Sequence, residues 1–304
     1  MKTNSLLRHK YLAALILLSV LFLAPDRIRA DILYAGNSWN GTIERYDTTS
    51  STDLGLFASS PGYPVGLAFD KTENLFVANI NPGPIAKLTP SGVWSYFAGA
   101  NMSWAAGLGM DNAGNLYATD ILADNIQKFS PDGTGSLFAS TAGIPQELTL
   151  DASGNVYVSL VGNTIEKYSP TGVDLGAFAS TGLQYPWGLA FDKQGNLFVA
   201  NYDGNSIMKF TPQGVGSVFA NTGLNGPQGL VFDSAGNLYV ANYDGNYIEK
   251  FTPDGVGSVF ATTGLNHPHD LAILVPEPSA GALLFMSAVL LATRAAAGKI
   301  RRKP

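Results

Sequence analysis

A five-residue phrase, Gly-Leu-Ala-Phe-Asp at 66–70, returns unchanged at 188–192 and in variant form at 107–111, 147–151 and 229–233. The closing aspartates, Asp70, Asp111, Asp151, Asp192 and Asp233, lie 41, 40, 41 and 41 residues apart, a regularity that restricts the chain to a repeat architecture. Each copy continues through a short turn into a strand-like run such as Asn196-Leu197-Phe198-Val199-Ala200. Ile-x-Lys-aromatic, a Thr/Ser-Pro turn and Gly-Ser-x-Phe-Ala follow. Four short apolar or alternating runs broken by Gly, Pro, Asn and Asp predict a four-stranded antiparallel meander. Four strands in about 41 residues is the pitch of a β-propeller blade.

Counting both ends of the unit predicts how the ring closes. The first-strand phrase occurs at 66, 107, 147, 188 and 229 and again as Asp270 to Leu274. The last-strand phrase ends in Phe-Ala at 57–58, 97–98, 138–139, 178–179, 219–220 and 260–261. Six of each predicts an all-β, six-bladed propeller. The body opens on a second strand (Ile32 to Gly36) and ends on a first strand, so the N- and C-terminal strands share one blade and no sheet edge is left open. With no cysteine, disulfide closure is excluded, as are zinc-thiolate sites and a cysteine nucleophile.

The unit Gly-x-x-x-Asp, Gly-Asn-hydrophobic-aromatic-Val-Ala-Asn, Asn-x-Ile-x-Lys-Phe, Pro-x-Gly resembles the NHL repeat over about 31–274. It is similar to extracellular six-bladed NHL propellers and, more loosely, to SMP-30/gluconolactonase and virginiamycin B lyase-like propellers. The family's usual Asp after Val-Ala is Asn here, at Asn79, Asn201 and Asn242. The resemblance implies the fold and little of the activity.

Both ends read as addresses. Lys2, Arg8 and Lys10 precede a 14-residue apolar run from Tyr11 to Ala24, the order of a secretory signal over residues 1–30. That predicts passage through the Sec machinery and cutting by signal peptidase, with an uncleaved anchor as the alternative. At the other end Pro276-Glu277-Pro278 precedes an apolar stretch from Ala280 to Thr293, then Arg294 and the basic cluster Lys299, Arg301, Arg302 and Lys303. The stretch makes a marginal transmembrane helix, and the cluster predicts a cytoplasmic tail with everything upstream outside. Residues 276–304 resemble the PEP-CTERM sorting signal of Gram-negative bacteria. That implies an exosortase-type protease as partner, inner-membrane tethering before processing, and delivery to the cell surface or an extracellular matrix.

The body, 31–275, carries 8 basic and 21 acidic side chains, a balance of −13 that repels phosphate backbones, so nucleic acid is not expected as a partner. The recurring aspartates are read as acceptors in the turn between first and second strands, with repeated calcium sites as the alternative. The series Arg45, Lys87, Lys128, Lys167, Lys209, Lys250 is read as one solvated position per blade. On the face of these turns the copies are monotonous. On the opposite face they diverge, and function is sought there.

At the channel mouth, one tier holds Val65, Ala106, Gln146, Trp187, Gln228 and His269. In the next, Glu147 and Asp270 replace the glycine of the other copies, three blades apart and so facing across the channel. The divergent face also carries Trp39, Tyr63, Trp104, Tyr185, Trp187, Tyr202 and Tyr243. Flat rings beside Asp203, Asp244 and the glutamines Gln146 and Gln228 suit an extracellular polysaccharide or a peptide. The sequence thus predicts a non-enzymatic binding or matrix protein without a cofactor. The alternative is a lactonase- or lyase-like enzyme holding a divalent metal ion on Glu147, His269 and Asp270. No nucleophile elbow, phosphate-cradling glycine loop or CxxC motif is present.

Overall fold

Runs such as Leu197–Asn201 and Leu238–Asn242 are buried along their whole length, as strands packed on both faces must be. The computed structural model describes residues 30–80, 85–98 and 102–275, which form 24 strands in six four-stranded antiparallel sheets. No helix occurs among the described residues, so none there is long and apolar enough to cross a membrane. Blades one to five begin with first strands Tyr63–Phe69, Ala105–Met110, Pro145–Leu150, Pro186–Phe191 and Pro227–Phe232, and each runs outward in chain order. Blade six takes its first strand from Pro268–Leu274 and the other three from Ile32–Asn37, Thr42–Asp47 and Asp53–Ser59. Leu274 pairs with Ile32 and Asp270 with Gly36, so the expected closure by the two ends of the body is present.

Six apolar clusters hold the ring, one between each neighbouring pair of blades. Between blades four and five, for instance, Ala190, Phe198, Ile207 and Ala220 meet Leu230, Leu238 and Val240. At the axis the glycines permit contact between backbones: a Cβ at Gly66 would lie 2.0 Å from the Ala106 carbonyl oxygen, and one at Gly188 2.0 Å from that of Gln228. Beside these glycines, the pairing of first and second strands is interrupted by a bulge in every blade.

The recurring aspartate serves the turn, as expected. Asp192 accepts the backbone N–H of Gln194 and Asn196, and the Asn196 side-chain amide, at 2.7–2.9 Å. Gly195 supplies the left-handed residue of that turn at φ 80°. The basic series departs from its solvated reading. Lys87, Lys128, Lys167, Lys209 and Lys250 lie 4.8–5.1 Å above the rings of Phe76, Tyr117, Tyr157, Phe198 and Tyr239, and Arg45 lies over Phe57. Four of the lysines also approach the turn aspartate within 3.6–4.0 Å. The aliphatic stem covers the blade while the ammonium meets a ring and a carboxylate. All the basic residues of the body therefore sit on the sheets or in the turns of the monotonous face, and none lies in the loops opposite.

Asn201 and Asn242 act as clasps. The Asn201 carbonyl oxygen accepts the Gln184 N–H at 3.0 Å while its amide donates to the Gly182 carbonyl at 2.9 Å. A carboxylate could not make the second bond, which explains asparagine at 201; Asn242 makes only the first, accepting the Asn225 N–H at 2.8 Å, and its amide has no partner. Where blade two has Asp120 instead, the contacts are two acceptances, from the Ser103 and Trp104 N–H groups.

Candidate functional site

Two groups of residues dominate the divergent side: an arc of rings on its surface and a carboxyl pair at the axis beneath. The arc begins in blade four. Tyr185 lies 5.8 Å from Trp187 and 6.0 Å from Tyr202 between ring centroids, and Tyr202 lies 6.4 Å from Tyr243 of the next blade. Tyr243 stands edge-on to His267 at 4.9 Å, and His267 stacks on Trp39 at 3.9 Å with 9° between planes. The Trp39 indole N–H donates to the Tyr243 hydroxyl at 2.9 Å, which locks the far end. Five of the rings expected at a ligand face are thus brought together over three consecutive blades. They are half-buried, apart from Trp39, which is 64% exposed, so they do not form the packing between blades.

Local backbone explains how the rings are held. The residue before proline at the start of the first strand is Tyr185, Gly226 and His267 in blades four, five and six, with φ of 53°, 60° and 51°. Glycine suits that left-handed conformation, whereas tyrosine and histidine are strained in it. Each is pinned by an asparagine from the second-to-third strand loop of the preceding blade. Asn163, Asn205 and Asn246 accept the N–H of Tyr185, Gly226 and His267, all at 2.7 Å. Gly226 lets the Asp244 carboxylate and the Tyr202 ring close over the backbone: a Cβ there would lie 2.5 Å from Asp244 Oδ2 and 3.1 Å from Tyr202 Cε2. Burial, then the neighbouring Asp244 carboxylate, pushes the Tyr202 hydroxyl up to about 12. Asp203 and Asp244 are exposed beside the arc.

His267 and His269 belong to this arrangement, which the sequence reading assigned to neither. His269 is buried under it, edge-on to Trp187 at 5.1 Å and to Tyr243 at 5.8 Å. Burial depresses its imidazole to about 4, against a raising hydrogen bond with the Val65 backbone, so the ring is neutral at pH 7. Its Nδ1 has no partner, and neither do the buried Gln146 and Gln228 Oε1 atoms of the same tier. Gln228 lies between Trp187 and His269 in blade order, whereas Gln146 lies in blade three, outside the arc. Trp104 and Tyr63 also stand apart from the arc, Trp104 half-buried and Tyr63 exposed.

Below this tier, Glu147 and Asp270 line one cavity of about 190 Å³ with a collar of leucines that includes Leu67, Leu108 and Leu148. Glu147 accepts the Leu148 N–H at 2.9 Å and Asp270 accepts the Leu67 N–H of the neighbouring blade at 2.7 Å. Burial pushes both carboxyls up. Asp270 reaches about 7, and the charge of Asp270 raises Glu147 further, well above the carboxylate range. At neutral pH the pair therefore carries less than its full two negative charges. As metal ligands the candidates fit poorly: both carboxyls hold backbone N–H groups, and His269 is wedged between aromatic rings. Among the described residues no three His, Asp or Glu side chains gather as a metal-holding group. Pro276, Glu277 and Pro278, the proposed sorting motif, lie outside the described residues.

Residues 183–210 match the NHL repeat. No curated protein matches the sequence. Among solved structures, virginiamycin B lyase from Staphylococcus aureus superposes with a TM-score of 0.62 at 16% identity, over 79% of this chain and 84% of that one. A streptogramin B lyase gives 0.62 at 17%, over 81% and 92%. A protein of unknown function from Bacteroides caccae gives 0.64 at 14%, over 81% of this chain and all of that one. At these identities the likeness is one of fold.

Proposed function

We propose that the chain is an exported propeller that binds an extracellular ligand, a polysaccharide or a peptide, on its aromatic face without transforming it. The observation that carries this reading is the arc Tyr185, Trp187, Tyr202, Tyr243 and Trp39, a run of partly exposed rings over three consecutive blades, with strained backbone at Tyr185 and at the neighbouring His267. Rings of this kind offer flat apolar area to sugar CH faces or to peptide bonds, and Asp203, Asp244 and Gln228 supply hydrogen bonds beside them. Strain kept at Tyr185 and His267, where glycine serves in blade five, is the pattern of positions selected for what the side chain does. The test is titration of purified protein with matrix polysaccharide, following tryptophan fluorescence. Binding that Trp187→Ala and Tyr202→Ala each weaken about tenfold supports the reading, at about 1.4 kcal/mol for each tenfold. Unchanged binding in both variants removes it.

Export rests on the signal-like residues 1–30, and the passage through the Sec machinery, signal peptidase and an exosortase-type protease rests on the end sections of the sequence. Asp31 accepts from the Ser234 N–H in a turn of the monotonous face, and Leu274 pairs beside Ile32. Both ends of the described propeller body, Asp31 and Leu274, therefore lie at the face opposite the arc.

A second reading, a lyase- or lactonase-like enzyme, is favoured by the buried pair Glu147 and Asp270, both raised by burial, beneath the neutral His269. A buried carboxyl pair and an imidazole can give and take protons. Turnover lost with Glu147→Gln or His269→Ala supports it, and stoichiometric divalent metal in the purified protein would add the metal to it.

A further inference from the structure

The polar groups around the arc are one-sided. The loops of the divergent face contain three acidic residues, Asp124, Asp203 and Asp244, and no lysine or arginine, while all eight basic side chains of the body lie on the sheets or on the opposite face. Two of the three carboxylates flank Tyr202 and Tyr243. Of the buried side-chain atoms without a partner near the arc, Gln228 Oε1 and His269 Nδ1 are acceptors and Asn242 Nδ2 is a donor, and His269 is 94% buried against Trp187 and Tyr243. Burial keeps this imidazole neutral, so one of its two ring nitrogens offers a lone pair. A ligand that completes this site brings donors and positive charge, and it meets the faces of electron-rich rings.

Ammonium groups satisfy all three conditions. They donate up to three hydrogen bonds, pair with Asp203 and Asp244, and bind over tyrosine and tryptophan faces by cation–π attraction worth about 0.5–2 kcal/mol. The framework that carries them is set by the shape of the site. Four of the five rings stand on loops, and Trp187 stands on an innermost strand whose backbone at Gly188 packs against Gln228 of the next blade, which disfavours an extended peptide adding itself to a sheet there. Rings 5.8–6.4 Å apart and inclined to one another by 44–64° instead suit the CH faces of successive sugar units along a curved path. Resting on the reading of the arc as a polysaccharide site, we infer that its ligand is an amino-sugar chain with free, protonated amines, seated across Trp187, Tyr202 and Tyr243 with its ammonium groups toward Asp244 and Asp203.

Isothermal titration with two tetramers of identical backbone tests this, one of glucosamine and one of N-acetylglucosamine, together with tetralysine as a cation without sugar. At low salt the glucosamine tetramer binds at least tenfold more tightly than its acetylated form. The preference falls severalfold in 0.5 M NaCl and in the double variant Asp203→Asn, Asp244→Asn, whose exposed positions leave folding intact. Equal or reversed affinities of the two tetramers overturn the ammonium inference while the arc stands as a sugar site. Tetralysine binding in place of glucosamine overturns the sugar framework. If no tetramer binds, the arc itself is not a saccharide site and both readings fall.

Discussion

Asp270 reaches out of its own blade to accept the Leu67 backbone N–H at 2.7 Å, so the last strand of the propeller is pinned to blade one by a buried carboxyl. Glu147 lines the same cavity three blades away, and burial raises both acids. A carboxyl whose pKa rises on folding binds more protons in the native state than in the unfolded one. Its stabilising effect is complete below the unfolded value of 3.8 and is lost as pH rises through the folded value of about 7. The prediction is that stability falls between about pH 4 and pH 7, by on the order of 3 kcal/mol from Asp270. Urea unfolding at a series of pH values measures it. Asp270→Asn, which keeps an acceptor for Leu67, is expected to flatten the slope, and a wild-type stability that climbs across this window would contradict the assignment.

The turn aspartates work in the opposite direction. For Asp70, Asp111 and Asp151 burial alone would raise the carboxyl. Hydrogen bonds from the following asparagine and backbone N–H groups outweigh it and hold each below the usual range. Asp233, the most buried of the set, accepts the Asn237 N–H and side-chain amide at 2.8 and 2.7 Å. Removing it orphans these donors, so Asp233→Ala is expected to cost about 2–3 kcal/mol, and Asp233→Asn about half of that. Thermal unfolding of both variants provides the measurement. Equal losses would show that shape rather than charge holds the turn.

Much of this was legible because the chain compares itself with itself. Asp70 to Asp233 mark the turns, the six Phe-Ala endings mark the outer strands, and Asp270-Leu271 recurring after the last complete unit tells how the ring closes. What repetition could not reveal was contact between blades. His269 read as a metal-ligand candidate with Glu147 and Asp270, and His267 gave no signal of the arc, because their partners Trp39, Trp187 and Tyr243 lie far off in sequence. The left-handed backbone at Tyr185 was hidden as well, since only its equivalence to Gly226 before a proline could have signalled it. The lysine series looked solvated because the ring beneath each lysine belongs to the neighbouring strand.

The pairing of third and fourth strands, where blades three and six set an aspartate against Tyr168 and Tyr46, yields a third prediction. On the outer strands Gly135, Gly216 and Gly257 pair with Phe129, Phe210 and Phe251, and a Cβ on any of them would come within 2.5–2.7 Å of the phenyl ring. In blade one the same register pairs Trp94 with Leu88. The smaller leucine is what makes room for the indole. Leu88→Phe is expected to destabilise by about 1–3 kcal/mol through overpacking, and adding Trp94→Gly should recover most of it. A double-mutant cycle by chemical denaturation reads the coupling. Additive effects would mean that the two positions do not compete for space.

The strained pair Tyr185 and His267 sets function against stability. Both occupy left-handed backbone that glycine occupies at Gly226, which for a residue with a side chain costs about 1 kcal/mol or more. His267 stacks on a largely exposed Trp39, a contact worth less than burial in a core. His267→Gly is therefore expected to leave the melting temperature unchanged or raise it by a few degrees, although a ring contact is lost. The N–H clasp from Asn246 survives, because it belongs to the backbone. Ligand binding on the arc should weaken in the same variant, since Trp39 and Tyr243 lose the ring between them. A variant that melts several degrees lower would place His267 among the residues that hold the fold. One that melts no lower and binds more weakly identifies a side chain kept for the ligand.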